Sequence, residues 1–369
     1  MGQNARKLDV MVPAVGQSGY TIAIGSGILS GIWDAIGSQW PKHRPFVVTD
    51  AELVAAGHLK TLIDSESVPT YVIDPAGEVS KHIQTVAAIV EEMEKNVLGR
   101  DSIVIALGGG TVGDIAGFAA AIFKRGVPVI QIPTTTVSQA DSSVGGKTGV
   151  DSSVSKNAFG AFWQPEAVYI DVETLLTLDE RQYRAGLVES VKHAAIMDAA
   201  YFEFFETNID AICNKDLAIL EQIAYTNCRI KAEVVEQDPT EKNRRRILNY
   251  GHTIGHAVES ASGFELLHGE SVAIGMIAAG KIEQALGLVA DDRIERIKAL
   301  LLKLEMPTTI PTAFDKQKLI ELVRKDKKAV GQWPRFILLE SLGAALCKER
   351  QYAHDVSQDI VEKCLDTLY

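Results

Sequence analysis

Up to about residue 175, short apolar runs rich in β-branched residues alternate with longer stretches of helical period. Several runs are apolar on both alternating sets of positions, which is typical of parallel strands covered on both faces. Glycine, proline or aspartate bounds each run. This alternation predicts an α/β domain with a mostly parallel sheet. The predicted strands are YTIAIG, PFVVTD, TYVIDP, SIVIAL, VPVIQIP and AVYID, and the predicted helices include 79–95 and 115–124.

From residue 179 onward the strand signal nearly vanishes, and only RFILLESLG is strand-like. Helical patterns follow one another over 179–197, 217–236, 248–260, 271–286 and 291–304. A chain of 369 residues is long for a single core. We therefore predict two domains, an α/β domain over 1–178 and a mainly α-helical domain over 179–369.

The formal net charge of −11 argues against a nucleic-acid-binding surface or an anchor to anionic membranes. The four cysteines are scattered without CxxC spacing, so neither a disulfide framework nor a thiolate zinc site is indicated. The N-terminal segment lacks the apolar core of a signal peptide, and no apolar run reaches the roughly 20 residues needed to cross a bilayer. We expect a cytoplasmic protein.

A glycine-rich turn lies between the strand SIVIAL and the following helix. Gly108, Gly110 and Gly113 satisfy G-x-G-x-x-G in the context that a phosphate-binding turn needs. The acidic residue expected about twenty positions later is missing, so a standard Rossmann dinucleotide site is not established. A purely structural turn remains an alternative, and Arg125 at the helix end can simply compensate the helix dipole.

The segment 134–165 is long, polar and without clear periodicity. Loops of this length inside compact domains are usually functional, and lysines on glycine-rich backbone suit phosphate or carboxylate binding. A solvated flexible loop is the alternative, but we expect Phe159, Phe162 and Trp163 to fix its end against a core. The polar residues that it carries are Asp141, Lys147, Lys156 and Asn157.

Candidate metal ligands lie in the second half of the chain. In RILNYGHTIGHAVES, His252 and His256 are four residues apart and share one helix face. The glutamate that serves as base in HExxH peptidases is missing. In AGLVESVKHAAI, Glu189 lies among apolar residues, where a carboxylate needs a cation, either Lys192 as a plain ion pair or a metal. Glu189 with two histidines would form the open His₂Glu set of catalytic zinc, whereas packing is the alternative role for the histidines.

Six blocks of the sequence, in order and over roughly residues 45 to 345, resemble the 3-dehydroquinate synthase family of the shikimate pathway. The resemblance implies an α/β NAD-binding domain with a mostly parallel sheet, followed by a mainly α-helical metal- and substrate-binding domain. It also implies a carbon–oxygen lyase that converts 3-deoxy-D-arabino-heptulosonate 7-phosphate to 3-dehydroquinate and phosphate. The route would be NAD-dependent oxidation, phosphate elimination, reduction and intramolecular aldol cyclisation. The blocks are LGGGTVGDIAGFAAAIFKRG, IPTTTVSQADSSVGGKTGVD, KNAFGAFWQP, GLVESVKH, RRRILNYGHTIGHA and LHGES.

The same resemblance implies the site residues. The ligands of Zn²⁺ (or Co²⁺) would be Glu189, His252 and His268, with His256 unligated near the substrate phosphate. The other catalytic residues would be Lys192, Glu241 and Asp141. Substrate contacts would come from Arg125, Lys147, Asn157, Lys231, Arg245, Asn249 and Lys327, with Lys328 as an alternative to the last. NAD contacts would come from Asp50, Gly77, Glu78, Lys81, Gly110, Thr111, Val112, Gly113, Asp114, Thr134, Thr135, Lys147, Lys156, Thr174, Leu175, Leu176 and Thr177. Arg125 would reach the neighbouring subunit's site, which implies a homodimer.

Three other functions stay open from the sequence. Another sugar phosphate cyclase, acting on sedoheptulose 7-phosphate or glucose 6-phosphate, would use the same cofactors. A polyol or alcohol dehydrogenase of the same architecture would release NADH. A catalytically inactive NAD- or metal-binding module would turn over nothing, although a complete set of ligands is rarely accidental.

Overall fold

The computed structural model describes residues 6–11, 19–64, 67–263, 265–289, 292–324 and 333–369. The chain forms two compact units, one of Met1–Leu178 with Leu217–Glu236 and the other of Asp179–Asp216 with Gln237–Tyr369. The sequence placed the whole of 179–369 in one domain, whereas the helix from Leu217 belongs to the first unit. Among the described helices, none is both long and apolar enough to cross a membrane.

The first unit is built on a seven-stranded sheet. Its strands are β1 Arg6–Val10, β2 Tyr20–Gly25, β3 Arg44–Asp50, β4 Thr70–Ile73, β5 Ser102–Gly108, β6 Val129–Pro133 and β9 Ala167–Asp171, and β7 Lys147–Val150 pairs with β8 Phe159–Phe162 in a separate hairpin. The order in the sheet is β1-β2-β9-β6-β5-β3-β4. Among the described strands of this sheet, only β1 pairs antiparallel, so the predicted mostly parallel sheet is confirmed.

Helices cover both faces of the sheet, which explains the continuous apolar runs of its strands. Val104 and Ala106 of β5 belong to one buried cluster, and the alternate residues Ile103 and Ile105 belong to a second. Side chains of successive strand residues point to opposite faces, so both faces of β5 are packed. The helices of this unit are α1 Leu29–Gln39, α2 Ala51–Ala55, α3 His58–Ile63, α4 Ile83–Lys95, α5 Gly110–Ile122 and α8 Leu217–Gln237.

The long polar segment 134–165 is more ordered than its sequence suggests. It contains a π-helical turn, Ser138–Ser142, and the β7–β8 hairpin. Trp163 packs where expected, since its Nε1 donates to the Val127 carbonyl and its ring covers Gly126. Phe159 and Phe162 are 45% and 47% exposed, so the expectation that they fix the loop against a core is wrong. Their positions on a two-stranded hairpin leave them at the surface.

The second unit is mainly α-helical, as predicted. Its helices are α6 Glu180–Met197, α7 Ala199–Cys213, α9 His252–Ala261, α10 His268–Ala285, α11 Arg293–Lys303, α12 Lys316–Arg324 and α13 Gln358–Asp366, and its short strands are β10 Phe336–Ile337, β11 Leu339–Ser341, β12 Ala344–Ala345 and β13 Ala353–His354. The predicted helix 248–260 begins later, at His252, because Gly251 has a left-handed φ of 76°. Helices α9 and α10 approach closely, since a Cβ on Gly275 would lie 1.9 Å from the Gly251 carbonyl oxygen.

Candidate active site

Three side chains that the sequence singled out as metal ligands meet in the second unit. Glu189 projects from the middle of α6, His252 from the first turn of α9 and His268 from the first turn of α10. The Nε2 atoms of His252 and His268 lie 3.6 and 3.5 Å from Glu189 Oε1. One ligand atom from each residue can be chosen so that all three lie within 4.8 Å of one another. The structure therefore brings together residues that are up to 79 positions apart in the chain.

The spacing and chemistry of this group fit a divalent metal. Ligand atoms about 2.0–2.1 Å from a tetrahedral zinc ion lie about 3.3–3.4 Å from one another. The two distances from Glu189 Oε1 to the histidine Nε2 atoms, 3.6 and 3.5 Å, are close to this separation. Glu189 Oε1 is buried and receives no hydrogen bond among the described residues. A buried carboxylate oxygen without a donor is costly unless a cation lies beside it. Glu189, His252 and His268 would hold Zn²⁺ or Co²⁺ and leave a coordination position open.

The two imidazoles are oriented by different groups. His252 Nδ1 lies 3.0 Å from the Tyr250 carbonyl oxygen, which accepts only from a protonated Nδ1 and so leaves the Nε2 lone pair for a metal. His268 Nδ1 lies 3.8 Å from Oε2 of Glu259, a buried carboxylate that the sequence analysis missed. The sequence did contain a signal for Glu259, which follows His256 by three residues on an apolar helix face. A carboxylate among apolar residues needs a cation, which is the argument that identified Glu189.

The charges of this group divide between its members. Burial alone would raise the pKa of Glu189, but the Lys192 ammonium and the two imidazoles outweigh burial and hold that pKa well below its usual range. Burial is the larger effect at His252 and lowers its pKa well below the usual value, which keeps the imidazole neutral. Burial opposes protonation of His268 too, yet Glu189 and Glu259 raise its pKa to about 9 in the metal-free protein.

The buried charge of Glu189 can be balanced by Lys192 and by a metal at the same time. Lys192 lies one helical turn after Glu189, and its ammonium donates to Oε2, while Oε1 faces the imidazoles. Both side chains are 1% exposed. The ion pair and the histidine cluster therefore use different oxygens of one carboxylate.

His256 lies beside the cluster. Its ring centroid is 5.2 Å from that of His252 and 5.9 Å from that of His268. An alternative group of possible ligands is formed by His256, Glu259 and His268, but it lacks the buried oxygen of Glu189 that needs a cation. The arrangement leaves His256 as a half-buried imidazole next to the candidate metal site.

Three further predicted residues lie together on the segment that precedes α9. Asn249 Nδ2 donates to Oε1 of Glu241 over 2.8 Å. Arg245 is 1% exposed, and its guanidinium donates to the Pro239 carbonyl. The Arg245 backbone N–H donates to Asp238, which also accepts from the N–H groups of Lys242 and Asn243. Asp238 thus shapes the loop that presents the other residues.

In the first unit, the glycine turn connects β5 to α5. Gly109 is the N-cap of α5, so the free N–H groups of the first helical turn remain available to an anion. Val112 is 2% exposed and packs in the core, and a Cβ on Gly108 would lie 2.5 Å from the Cβ of Val112. Only backbone groups of Val112 could therefore reach a cofactor.

A group of predicted NAD contacts forms an ion-pair network beside this turn. Lys81 Nζ lies 2.9 Å from Asp114 Oδ2, and both Lys81 and Lys156 lie within 4 Å of Glu78 Oε1, at 3.8 and 3.5 Å. Thr111 Oγ1 donates to the other oxygen of Glu78 over 3.2 Å. Burial alone would lower the pKa of Lys81, but Asp114 and Glu78 raise it. The network joins residues from three separate segments of the sequence.

Asp50, a predicted NAD contact, is a candidate for the acidic residue that the glycine motif lacked, and it lies earlier in the chain. Asp50 ends β3, which pairs parallel with β5 on the side opposite β6. In dinucleotide-binding folds, a carboxylate at the end of the neighbouring strand binds the ribose hydroxyls. Asp50 also caps α2, since its Oδ1 accepts the Leu53 N–H over 2.9 Å. Counting positions forward from the motif could not find it, because strand order differs from chain order.

The remaining predicted residues of the first unit occupy turns and strand ends. Asp141 lies in the π-helical turn, and Lys231 of α8 donates to its carbonyl and lies 2.8 Å from its Oδ1. Thr134 donates its N–H to the Gly108 carbonyl, and Thr135 bonds Ser138. A 3₁₀ turn, Val172–Leu176, carries buried Thr174 and Leu175 and exposed Leu176, and the hydroxyl of Thr177 bonds His58.

Four other predicted site residues of the first unit lie at turns or at the start of a strand. Gly77, Arg125 and Asn157 have left-handed φ angles of 91°, 73° and 51°, and Lys147 begins β7. Lys327 and its alternative Lys328 lie outside the described residues.

Solved structures of related architecture define the class of this protein. A 2-deoxy-scyllo-inosose synthase complexed with carbaglucose-6-phosphate, NAD⁺ and Co²⁺ has a TM-score of 0.87 and 25% identity, and covers 99% of this chain and 100% of its own. A 2-epi-5-epi-valiolone synthase from Streptomyces hygroscopicus subsp. jinggangensis, with NAD⁺ and Zn²⁺ bound, has a TM-score of 0.85 and 27% identity, covering 97% and 98%. The fold is that of the sugar phosphate cyclases.

Sequence comparisons narrow this class to one family. The 3-dehydroquinate synthase N-terminal and C-terminal family models match residues 71–185 and 186–329. A 3-dehydroquinate synthase of Desulforamulus reducens is 45% identical over 333 residues, covering 89% of this chain and 93% of the relative. That of Symbiobacterium thermophilum is 43% identical over 319 residues, covering 85% and 89%. The chain belongs to the 3-dehydroquinate synthase family.

Proposed function

We propose that this protein is an NAD- and metal-dependent lyase that converts 3-deoxy-D-arabino-heptulosonate 7-phosphate to 3-dehydroquinate and phosphate. The observation that carries the proposal is the buried Oε1 of Glu189, which faces two histidine Nε2 atoms at 3.5 and 3.6 Å. Identities of 43–45% to 3-dehydroquinate synthases, against 25–27% to the two other cyclases, favour this substrate within the class.

Each cofactor has a defined place in the proposal. Glu189, His252 and His268 would hold the metal, which would supply Lewis acidity toward substrate hydroxyls and a ketone. The glycine turn and its ion-pair network would hold NAD, which would supply reversible hydride transfer. The protein supplies binding, orientation and charge.

A substrate with two anionic groups accounts for the cationic residues that the family resemblance assigns to substrate binding. The side chains proposed to bind the carboxylate and the phosphate are Lys147, Lys192, Lys231, Arg245 and Lys327. Lys192 keeps Glu189 ionised, as the low pKa of that carboxyl requires. The amide of Asn249, held by Glu241, presents a fixed polar group to substrate hydroxyls. His256 is the group proposed to assist phosphate loss, since its imidazole lies beside the metal ligands without belonging to the Glu189 set.

The test is a joint assay of phosphate release and NADH absorbance with the purified protein. Turnover of the heptulosonate phosphate should release phosphate while NADH stays flat at steady state, and a chelator should stop turnover until zinc or cobalt is restored. Steady accumulation of NADH would instead indicate a dehydrogenase. Faster phosphate release from glucose 6-phosphate or sedoheptulose 7-phosphate would assign the protein to another cyclase.

We further propose that the protein is a cytoplasmic homodimer in which Arg125 reaches the partner's substrate. Arg125 follows α5 in a left-handed conformation next to Gly126, a position that turns the chain sharply at the helix end. Mixing an Arg125→Ala protein with a Lys192→Ala protein tests the role in trans. Mixed dimers should regain part of the activity that neither variant has alone, whereas a monomeric protein would regain none.

A further inference from the structure

Three residues at four-residue spacing on α6 contact the start of α10 one after another. Arg181, Ala185 and Glu189 share one face of α6 because four residues make about one helical turn. They meet Glu270, Gly269 and His268, respectively, in reverse chain order. The last of these contacts is between two proposed metal ligands, so the first two contacts determine where that pair lies.

The contact farthest from the metal ligands is a two-pronged ion pair. Arg181 Nε donates to Glu270 Oε1 and Arg181 Nη2 to Glu270 Oε2, each over 2.7 Å. Nη2 also donates to the Glu265 carbonyl over 2.9 Å. Paired parallel hydrogen bonds between a guanidinium and a carboxylate fix orientation as well as distance. Arg181 therefore holds both the first turn of α10 and the connection before it.

Glu270 transmits this hold to the helix that carries His268. Its Oε2 accepts the Leu267 N–H over 2.8 Å, the interaction by which a glutamate in the first turn fixes a helix start. His268 follows Leu267 directly and begins α10. A shift of Glu270 would therefore move the backbone of His268.

At the middle contact, α6 and α10 are as close as their backbones allow. A Cβ on Gly269 would lie 1.8 Å from the Ala185 carbonyl oxygen, a distance that no side chain can occupy. The backbones touch at this point, so the α10 start can rotate or slide but cannot approach α6 further. A change in the ion pair on one side of this contact therefore changes the distance between Glu189 and His268 on the other side.

We propose that Arg181 is a positioning residue that, through Glu270, sets the distance between Glu189 and His268 and with it the affinity for the metal. The proposal rests on the metal site of the proposed function. Metal sites need their ligands within about 0.5 Å of the productive geometry. The Arg181 side chain is 54% exposed, and such a pair adds little to overall stability. Its main effect is therefore on the ligand geometry.

The test is the zinc affinity of Arg181→Gln, measured by competition with a chromophoric chelator. We expect binding about tenfold weaker than in the unchanged protein, the lower end of what outer-shell changes cause, and an altered visible spectrum of the Co²⁺-loaded protein. The sign is informative, because removing a positive charge near the site would by itself strengthen cation binding. Unfolding of the metal-free protein by urea should change little.

Arg184→Gln is the matched control. Arg184 lies on the same helix turn and pairs with Glu180 over 2.7 Å and with Glu305, neither of which belongs to α10. The control should keep its zinc affinity and Co²⁺ spectrum. An equal loss in both variants would overturn the proposal, as would an Arg181→Gln protein identical to the unchanged one.

A conservative variant keeps the proposal testable if Arg181→Gln does not fold. Arg181→Lys retains the charge but not the two-pronged geometry, so its zinc affinity should fall between those of the unchanged protein and Arg181→Gln. Full zinc affinity with an unchanged Co²⁺ spectrum would contradict the proposal. Zinc binding is measured without turnover. A protein that binds zinc tightly but does not release phosphate would therefore refute the proposed reaction and leave the positioning role standing.

Discussion

Lys192 binds one oxygen of Glu189 and leaves the other to the imidazoles of His252 and His268. A carboxylate with 1% exposure needs compensation at both oxygens, and the chain supplies it from two directions. The ammonium keeps Glu189 ionised, which a metal ligand must be, and the free oxygen points to where a cation would lie.

Replacing Lys192 with methionine should destabilise the metal-free protein by about 3–5 kcal/mol, because it leaves the Glu189 charge buried without its ammonium partner. Added zinc should recover much of the difference, since the metal binds the folded state and supplies the missing positive charge. Urea unfolding with and without zinc measures both effects.

Lys95→Met is the control for this change. Lys95 also pairs with a glutamate three residues away, Glu92, but its side chain is 69% exposed. Such a pair contributes about 0–1 kcal/mol. Equal losses in the two variants, or no recovery with zinc, would show that Lys192 does not balance a buried charge.

His256→Ala should retain bound zinc but slow phosphate elimination, whereas His252→Ala should lose the metal. The reason is that His252 Nε2 faces Glu189 Oε1, while His256 lies beside that group. Metal analysis together with single-turnover NADH formation separates the two roles. Loss of zinc from His256→Ala would mean that the two histidines are assigned the wrong way round.

Asp50→Asn should weaken NAD binding about ten- to a hundredfold, the effect of losing about 1.5–3 kcal/mol from hydrogen bonds to a charged group. Stability should change little, because asparagine caps helices about as well as aspartate and α2 keeps its cap. Fluorescence titration with NAD, beside thermal unfolding, measures both. Unchanged NAD affinity would remove Asp50 from the cofactor site.

Asp238→Ala should raise KM and leave the zinc content unchanged, because Asp238 accepts three backbone N–H groups in the loop that carries Arg245. Steady-state kinetics and metal analysis test this, with Asp355→Ala, an exposed carboxylate that pairs with Arg335, as the control. A raised KM in both variants would argue against a specific role of the loop.

The same carboxylate gives a pH dependence. Burial would raise the pKa of Asp238, but the N–H groups of Asn243, Lys242 and Arg245 lower it. Its contribution to stability is therefore full above its unfolded pKa of about 3.9 and is lost as the pH falls through the lower folded pKa. The difference in unfolding free energy between Asp238→Ala and the unchanged protein should have its maximum at neutral pH. It should decrease toward zero as the pH falls below about 4.

The periodicity of the chain was sufficient to predict the parallel sheet and most helices of the second unit. The reason is that burial on one or both faces of an element determines the spacing of its apolar residues. It was not sufficient for the β7–β8 hairpin, whose strands are only four residues long and rich in glycine. Nor could it place α8 with the first unit. A helical pattern shows that one face is buried but not which partner buries it.

The candidate site divides in the same way. Helical spacing alone placed His252 and His256 on one face and made Glu189 an anomaly, since a charge on an apolar helix is costly wherever the helix packs. The family resemblance, not residue spacing, supplied His268 and Asp50, and only the tertiary structure showed that His268 lies 3.5 Å from Glu189, that Lys192 takes just one carboxylate oxygen and that Asp50 ends the strand next to β5. These are distances between segments far apart in the chain, and they are fixed by strand order and by helix contacts such as that of Gly269 with Ala185, which no local pattern encodes.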